Sequence, residues 1–173
     1  AVNEANYKPK MLGGAMVGLQ ATVFKNKLGS KLNGIINYET WVPTEKMMAP
    51  AAGFFKKYQE RAGAAKVDPL GYYLGGWGYA YISVLGNAIA GTKSIDDDKI
   101  ADYLRKNTHK TIMGDWSYGP TGEWTKSGMM QVQYHGIKDG AGLETWRGMG
   151  HQNVLTPASL ATGKVIYPYE KAK

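Results

Sequence analysis

Three histidines are the side chains of this sequence that are best suited to proton transfer or metal binding near neutral pH. They are His109, His135 and His151. No two of them stand at the three- or four-residue spacing of a helical metal motif. A Gly-x-Ser-x-Gly sequence, which is typical of one class of serine nucleophile, is also absent. We therefore expect these histidines on the surface or in loops, and we expect no metal site.

Two acidic patterns are candidates for cation binding. Asp96, Asp97 and Asp98 are consecutive, and Asp115-x-Ser117-x-Gly119 resembles the start of a calcium loop. The acidic trio opens a helical pattern, where the helix dipole favours negative charge. The second pattern has a proline at the position that needs glycine. Both patterns therefore indicate structural roles, and we expect no cofactor.

The glycine-rich segment Leu12–Gly18 (LGGAMVG) follows a strand pattern and precedes a helical one. Backbone N–H groups of such a loop can contact an anion. The segment lacks the Gly-x-Gly-x-x-Gly spacing and the lysine of a phosphate-binding loop, so a nucleotide site is not indicated. Close approach of a small ligand and a simple tight turn are both compatible with it.

The segment from Asp68 to Gly91 is rich in tyrosine, tryptophan and glycine. Asp68 is suited to cap a helix, proline follows it, and Gly91 is a stop signal. A stripe at spacings of three and four predicts a buried face. It consists of Leu70, Tyr73, Trp77, Tyr81, Val84 or Leu85, and Ala88. This stripe is either core or one wall of a ligand site.

Hydrophobic periodicity and turn signals predict the remaining elements. Strands are expected within 9–18, 33–43 and 129–137, helices within 19–29, 43–63, 68–91 and 94–108, and a hairpin turn at Gly119–Gly122. Thr44 is suited to cap the second helix, and Pro50 predicts a start or kink within it. This order is typical of an α/β protein. Because three helices follow one another without a strand, we expect a partner that pairs with them.

Composition excludes several classes of protein. The chain of 173 residues has no cysteine, so disulfides and thiolate metal sites are excluded. The net charge is +7, but the 21 Lys and Arg residues are scattered and form no basic stripe. We therefore expect no nucleic-acid partner.

Four stretches of the sequence resemble the C-terminal half of periplasmic solute-binding proteins of ABC importers, of the leucine/isoleucine/valine-binding type. In the order of the family they are GLQATVFKNKLGSKLNGIINY, DPLGYYLGGWGYAYISVLGNAI, KIADYLRKNTHKTIMGDWSYGPTGEW and GKVIYPYE. The resemblance covers nearly all of the chain. It implies an α/β fold with parts of two Rossmann-like lobes of a type I periplasmic binding protein, whose N-terminal half is missing from this chain.

The resemblance also implies a division of the chain. Residues 1–39 would be part of the second lobe, and 40–128 part of the first lobe, with a hinge crossover near 38–44. Residues 129–173 would cross back and complete the C-terminal part of the second lobe. The sheet partners of the three helices would then lie in the missing half.

The family places an aromatic side chain against the ligand near the start of the first-lobe helix. Here that position falls on Tyr73, with Tyr72 and Trp77 as neighbours. In amino-acid binders of this type a second-lobe loop supplies an acid for the ammonium group. The matching loop of this chain has no acid, so either Gln20 or loop carbonyls replace it, or the ligand lacks an ammonium group. The expected contacts in this loop are Met16, Val17, Gly18 and Gln20.

The function implied by the resemblance is that of an extracytoplasmic solute-binding component of an ABC importer, without catalytic residues. Two lobes would close around a small solute by hinge closure, a branched-chain or other amino acid being the family default. Aromatic carboxylates, small amides, a ligand-sensing regulatory domain of the same fold and an enzyme remain alternatives. The expected partners are the ligand, a membrane permease, and the missing N-terminal half or a second copy of this chain. The implied location is periplasmic, or extracytoplasmic with a lipid anchor.

Overall fold

The fold is seen in a computed structural model that describes residues 4–172. Six strands are present in this range: β1 (Leu12–Gly14), β2 (Ile35–Glu39), β3 (His109–Thr111), β4 (Gly114–Trp116), β5 (Met130–Tyr134) and β6 (Gln152–Thr156). Five α-helices accompany them: α1 (Thr22–Leu28), α2 (Glu45–Ala65), α3 (Leu74–Thr92), α4 (Asp97–Lys106) and α5 (Leu143–Arg147). Short 3₁₀ turns occupy Val17–Gln20, Gly29–Leu32 and Tyr169–Ala172. The predicted α/β class is therefore confirmed.

Four strands form one mixed sheet in the order β1-β2-β5-β6. β1 runs parallel to β2, whereas β2–β5 and β5–β6 are antiparallel. The central strands carry fully buried residues, among them Asn37 opposite Val132. We call these four strands, with α1, α5 and the 3₁₀ turn Val17–Gln20, the sheet group.

The helices α2, α3 and α4 and the β3–β4 hairpin form a second group, the helix group. The chain enters it after Glu39 and leaves it before Met130. Thr44 caps α2 as predicted, because its hydroxyl accepts a hydrogen bond from the Met47 N–H at 3.2 Å. The helix continues through Pro50 and ends at Ala65.

An aromatic core holds α2 against the crossing segment that follows β2. The ring centroid of Trp41 lies 4.6 Å from that of Phe55 and 4.7 Å from that of Tyr72. Phe55 and Tyr72 meet edge to face at 4.9 Å. All three side chains are buried, and such aromatic pairs add to the stability that burial alone provides.

The predicted start of α3 at Asp68 and Pro69 is wrong. The helix begins at Leu74, after a turn in which the Asp68 carboxylate accepts from the backbone N–H of Leu70 and of Gly71. Gly71 has a φ of +71°, which is incompatible with a continuous right-handed helix. Because of this turn, α3 begins at Leu74 and not at Pro69.

The predicted buried stripe of α3 is only partly correct. Val84 and Ala88 are buried, but Tyr81 is 54% exposed and Leu85 is 44% exposed. The buried residues of α3 are Gly76, Ala80, Val84 and Ala88, so the face toward α2, α4 and β3 begins one residue before Trp77 and Tyr81 of the predicted stripe. The other face of α3 is left uncovered within residues 4–172.

The structure confirms the helix start at the acidic trio and the turn at Gly119–Gly122. Asp96 caps α4, since its carboxylate accepts from the Lys99 N–H, whereas Ser94 bonds the Asp96 N–H. The turn at Gly119–Gly122 forms, with Gly122 N–H bonded to Gly119 C=O at 3.0 Å. The three-residue antiparallel pairing of β3 with β4 lies just before this turn in the sequence.

No helix within residues 4–172 combines the length and the apolar character that crossing a membrane requires.

Candidate functional site

Three indole rings stack where the helix group meets the crossing segment. The ring centroid of Trp77 of α3 lies 5.3 Å from that of Trp116 of β4 and 5.2 Å from that of Trp124, and the latter two lie 5.1 Å apart. The Trp77 ring is inclined to the other two by only 15° and 21°. We call these residues the tryptophan cluster. The three ring centroids form a nearly equilateral triangle, so each of these rings contacts both of the others.

The Trp77 N–H begins a hydrogen-bond relay between the two groups. Trp77 Nε1 donates to Thr40 Oγ1 at 3.2 Å, and the Thr40 hydroxyl donates to Gln20 Oε1 at 3.1 Å. Gln20 is only 4% exposed, and its Nε2 has no hydrogen-bond partner. The relay therefore connects a helix-group ring to a sheet-group amide through the crossing segment.

The loop before Gln20 is held by one buried side chain. Asn37 Oδ1 accepts from the Met16 N–H at 2.8 Å, and Asn37 Nδ2 donates to the Met16 carbonyl at 3.1 Å. Met16, Val17 and Gly18 are exposed, so this loop presents its residues outward from a rigid attachment. Their predicted role as ligand contacts is compatible with this position and stays a prediction.

The two adjacent tyrosines before α3 have different environments. Tyr72 belongs to the aromatic core with Trp41 and Phe55, and burial raises the pKa of its hydroxyl. Tyr73 occupies the position just before α3 and is half-buried. Of the two, Tyr73 is therefore the one whose side chain is accessible to a solute.

Asp68 joins the helix group to the sheet group. Its carboxylate accepts from the Thr22 N–H at 2.8 Å and from the Thr22 hydroxyl at 2.9 Å, at the first residue of α1. The same carboxylate accepts from two backbone N–H groups of its own turn. One side chain thus organises the turn before α3 and attaches it to α1.

We expect Asp68→Ala to lower the free energy of unfolding by about 1–3 kcal/mol, because several N–H and O–H groups lose their charged acceptor. Chemical denaturation measures this change. Asp102→Ala is the control, since its side chain is 63% exposed and makes only exposed ion pairs, which contribute about 0–1 kcal/mol. Equal losses in both variants would contradict the assigned role of Asp68.

A buried polar network lies beneath the loop and the relay. Glu39 Oε1 accepts from Tyr134 Oη at 2.6 Å and from Gln152 Nε2 at 3.2 Å. Lys25 Nζ lies 3.6 Å from the same oxygen and donates to Gln152 Oε1 at 3.3 Å. All four side chains are buried. The network joins α1, β2, β5 and β6 at the C-terminal end of β2, where the chain leaves the sheet group for the helix group.

Burial dominates the electrostatics of this network. It raises the pKa of the Glu39 carboxyl, although the Lys25 ammonium and the hydrogen bonds act in the opposite direction. Burial, together with the Glu39 carboxylate, also raises the pKa of Tyr134 well above its ordinary value. Tyr134 therefore keeps its proton at neutral pH and donates a hydrogen bond to Glu39.

A cavity of about 150 Å³ adjoins the tryptophan cluster. Its lining is Thr40, Met47, Trp77, Met113, Gly114, Asp115, Trp116, Trp124, Lys126, Ser127, Gly128 and Leu160. Aromatic and aliphatic groups make up much of this wall, with a few polar groups among them. A mixed lining of this kind also occurs in small-molecule sites, but the cavity is smaller than the roughly 300 Å³ at which such sites begin.

The sequence did not identify several residues of this region. Trp116 and Trp124 flank the predicted turn, and the bridge Tyr118↔Trp124 shows why they approach each other. Thr40 and Lys25 carry no comparable signal, because their partners are distant in the chain.

The histidines do not form a site. His109 is buried, against the prediction of a surface position, and its Nε2 bonds the Leu104 carbonyl at 3.0 Å. His151 Nδ1 lies 3.3 Å from the His135 carbonyl oxygen. Within residues 4–172 no three His, Asp or Glu side chains are grouped as a metal site would require.

Compared with known proteins, the sequence matches no family model and no curated protein sequence.

Proposed function

We propose that this chain is the extracytoplasmic solute-binding component of an ABC importer, of the leucine/isoleucine/valine-binding type. The observation that carries the proposal is the relay Trp77–Thr40–Gln20, in which side chains of two groups converge on the segment that joins them. In this proposal the sheet group belongs to the second lobe and the helix group to the first. The segment 38–44 is the hinge.

The proposed mechanism is hinge closure without bond making or breaking. A solute that contacts both groups stabilises the closed arrangement, so binding shifts the population toward it. The contact between Asp68 and Thr22 also joins the two groups and would act in the same direction. A membrane permease would recognise the closed form, at the periplasmic face of the membrane.

A thermal-shift panel of amino acids, aromatic acids and small amides tests the proposal. A solute at 100 times its Kd should stabilise the chain by about 2.7 kcal/mol. We expect Tyr73→Ala to weaken this shift while it changes the stability of the free protein little, because Tyr73 is half-buried. Val84→Ala should do the reverse, because Val84 is buried in the core. Parallel effects in both variants would contradict the assignment.

The proposed partner of the helix group is the missing N-terminal half, or a second copy of this chain. The supporting observation is the uncovered face of α3. No charged residue occurs between Pro69 and Thr92, yet Leu74 and Ile82 are 69% and 70% exposed. A helix that is apolar all round is usually buried in a larger protein.

Two glycines of α3, Gly78 and Gly86, support a close approach of that partner. Gly75 and Gly76 lie against Tyr58 and Met113, which explains why a larger side chain is absent there. A Cβ at Gly78 or Gly86 would meet open space. Glycine within a helix costs about 1 kcal/mol relative to alanine, so these two are best explained by a surface that covers α3.

Association should be visible in sedimentation of the chain, alone or mixed with a polypeptide equivalent to the N-terminal half. We expect Ile82→Lys to abolish it, because the charge would be buried at the interface. The matched control is Val23→Lys, which changes a 63% exposed valine of α1 in the sheet group. A monomer under both conditions, or equal loss in both variants, would contradict this partner surface.

A further inference from the structure

A groove of about 490 Å³ lies between the second half of α2 and the first turns of α3, and we call it the α2–α3 groove. Its walls include the rings of Phe54 and Tyr58 of α2 and of Tyr79 of α3. The ring centroids of Phe54 and Tyr79 lie 4.8 Å apart, and Tyr79 is 52% exposed. An open groove with aromatic walls is suited to receive an apolar side chain of another protein.

The charge of this groove is positive. Lys57 and Arg61 line it, one helical turn apart on α2, and no Asp or Glu of residues 4–172 belongs to its lining. Within the same range neither cation takes part in an ion pair. Like charges four residues apart repel each other on a helix, so carboxylates at the groove would stabilise both cations.

A segment with the complementary properties lies on the same chain, just after α3. Ile95 is 83% exposed, the largest exposed fraction among the large apolar side chains of residues 4–172. Asp97 and Asp98 follow it in the first turn of α4, and both are exposed. Neither forms an ion pair with another described residue, whereas Asp96 is engaged as the cap of α4. Segment 95–98 therefore offers one apolar side chain beside two carboxylates.

The groove and this segment lie toward opposite ends of α3. Tyr79 is in its second turn, and Ile95 follows its last residue, Thr92, by three positions. The two residues are therefore separated by roughly 24 Å along the helix axis, at about 1.5 Å per residue. A two-fold contact pairs residue i of one copy with residue j of the other, and j with i. Two antiparallel α3 helices, with the two-fold axis near Asn87, would place each Ile95 opposite the other copy's groove.

We infer, resting on the proposed function in which a partner covers α3, that the α2–α3 groove receives segment 95–98 of a second copy of this chain. The Ile95 side chain enters between the aromatic walls, and Asp97 and Asp98 lie against Lys57 and Arg61. The contact is made twice in a two-fold dimer. Between the two grooves, the uncovered faces of the two α3 helices cover each other.

Charge reversal tests the inference by sedimentation of the whole chain at low ionic strength. Lys57→Glu/Arg61→Glu reverses the groove, and Asp97→Lys/Asp98→Lys reverses the segment. We expect the dissociation constant of the dimer to rise about tenfold or more in each double variant, because like charges then face each other at both contacts. A dimer of wild-type affinity in either double variant would overturn the inference.

A mixture of the two double variants distinguishes a specific contact from a general effect of charge. In the mixed dimer a reversed groove meets a reversed segment, and an unaltered groove meets an unaltered segment, so the affinity should return to that of the wild type. A chain with all four substitutions should likewise associate with itself. Restoration in either case supports the inference and shows that the variants fold. Failure of both would overturn it.

The apolar part of the contact has its own readout. Ile95→Ser should weaken the dimer about tenfold or more, because an isoleucine side chain is no longer buried on association. It should leave the stability of the monomer unchanged, since Ile95 is 83% exposed there. The controls are Val23→Ser and Lys27→Glu/Lys31→Glu, at exposed positions of α1 and of the turn after it. Equal effects of Ile95→Ser and either control on the dimer would overturn the inference.

The outcomes separate this inference from the proposed function. A wild-type chain that stays monomeric would overturn the inference. If that monomer bound the N-terminal half, and Lys57→Glu/Arg61→Glu abolished the binding, the groove would belong to that half. A dimer with the expected charge effects, but no thermal shift with any solute, would overturn the proposed function and leave the dimer contact standing.

Discussion

Lys25→Met will lower the free energy of unfolding by about 3–5 kcal/mol at neutral pH. The Lys25 ammonium and the Glu39 carboxylate are both buried, with 3.6 Å between Nζ and Oε1. Methionine fills similar space but leaves the carboxylate without a cation. Removal of one member of a buried pair is costly because the remaining charge cannot be solvated.

The double variant Lys25→Met/Glu39→Gln should recover most of this loss. A neutral amide at position 39 can still accept from Tyr134 Oη, and no uncompensated charge remains. Urea denaturation of the wild type, both single variants and the double variant gives the coupling energy of the pair. If the two single losses simply added in the double variant, Lys25 and Glu39 would not act as a pair.

The pH dependence of this effect has a definite sign. Burial raises the folded-state pKa of Glu39 above its ordinary value of 4.5, so the folded protein holds this proton more tightly than the unfolded chain. The stability that this proton contributes is complete below pH 4.5 and is lost as pH rises through the folded-state pKa. Without the Lys25 ammonium that pKa rises further, so Lys25→Met should lose more stability with rising pH than the wild type. The double variant should lack this dependence on residue 39.

Gly71→Ala will lower the free energy of unfolding by about 2–5 kcal/mol. An alanine in the left-handed conformation of this residue costs about 1–2 kcal/mol, since φ is +71°. A Cβ at this position would also overlap the ring of Tyr58, and such overpacking typically costs about 1–3 kcal/mol. Thermal and chemical denaturation measure the sum.

Gly78→Ala is the matched control in the same region. Gly78 lies inside α3 with open space around it, so alanine should stabilise the free chain by about 0.5–1 kcal/mol through helix propensity. The same variant should weaken association at the α3 face, if a partner approaches the backbone there. If Gly71→Ala and Gly78→Ala destabilised the chain by equal amounts, helix propensity and the Tyr58 contact would not explain the effects of these two substitutions.

Local signals in the sequence were reliable where the interaction was local. Thr44 caps α2 because its acceptor and the Met47 N–H are three residues apart, a spacing that any helix start provides. The acidic trio begins α4 as predicted, with Asp96 as the cap and Asp97 and Asp98 in the first turn. Asp68 was interpreted as a helix cap, and it does bond nearby N–H groups, but the helix begins later.

The candidate site was predictable only in part. The sequence directed attention to Trp77 and Gln20, and the structure joins both through Thr40. Tyr72 was a predicted neighbour of the solute, but it lies in the aromatic core, since Trp41 and Phe55 enclose its ring. Periodicity marks a residue as apolar and on a face. It does not state whether that face meets the core, a solute or another chain.

What the sequence by itself determined is the set of elements and their chemistry. Caps, glycine turns, strand patterns and the charge-free stretch from Pro69 to Thr92 depend on neighbours within a few residues. Only the tertiary structure decided which polar groups share the interior. Lys25 belongs to α1, Glu39 to β2 and Gln152 to β6. They meet because β2 and β6 are the two neighbours of β5 in one sheet. Sheet order and register are properties of the whole chain, and for that reason the network and the relay were absent from every local pattern.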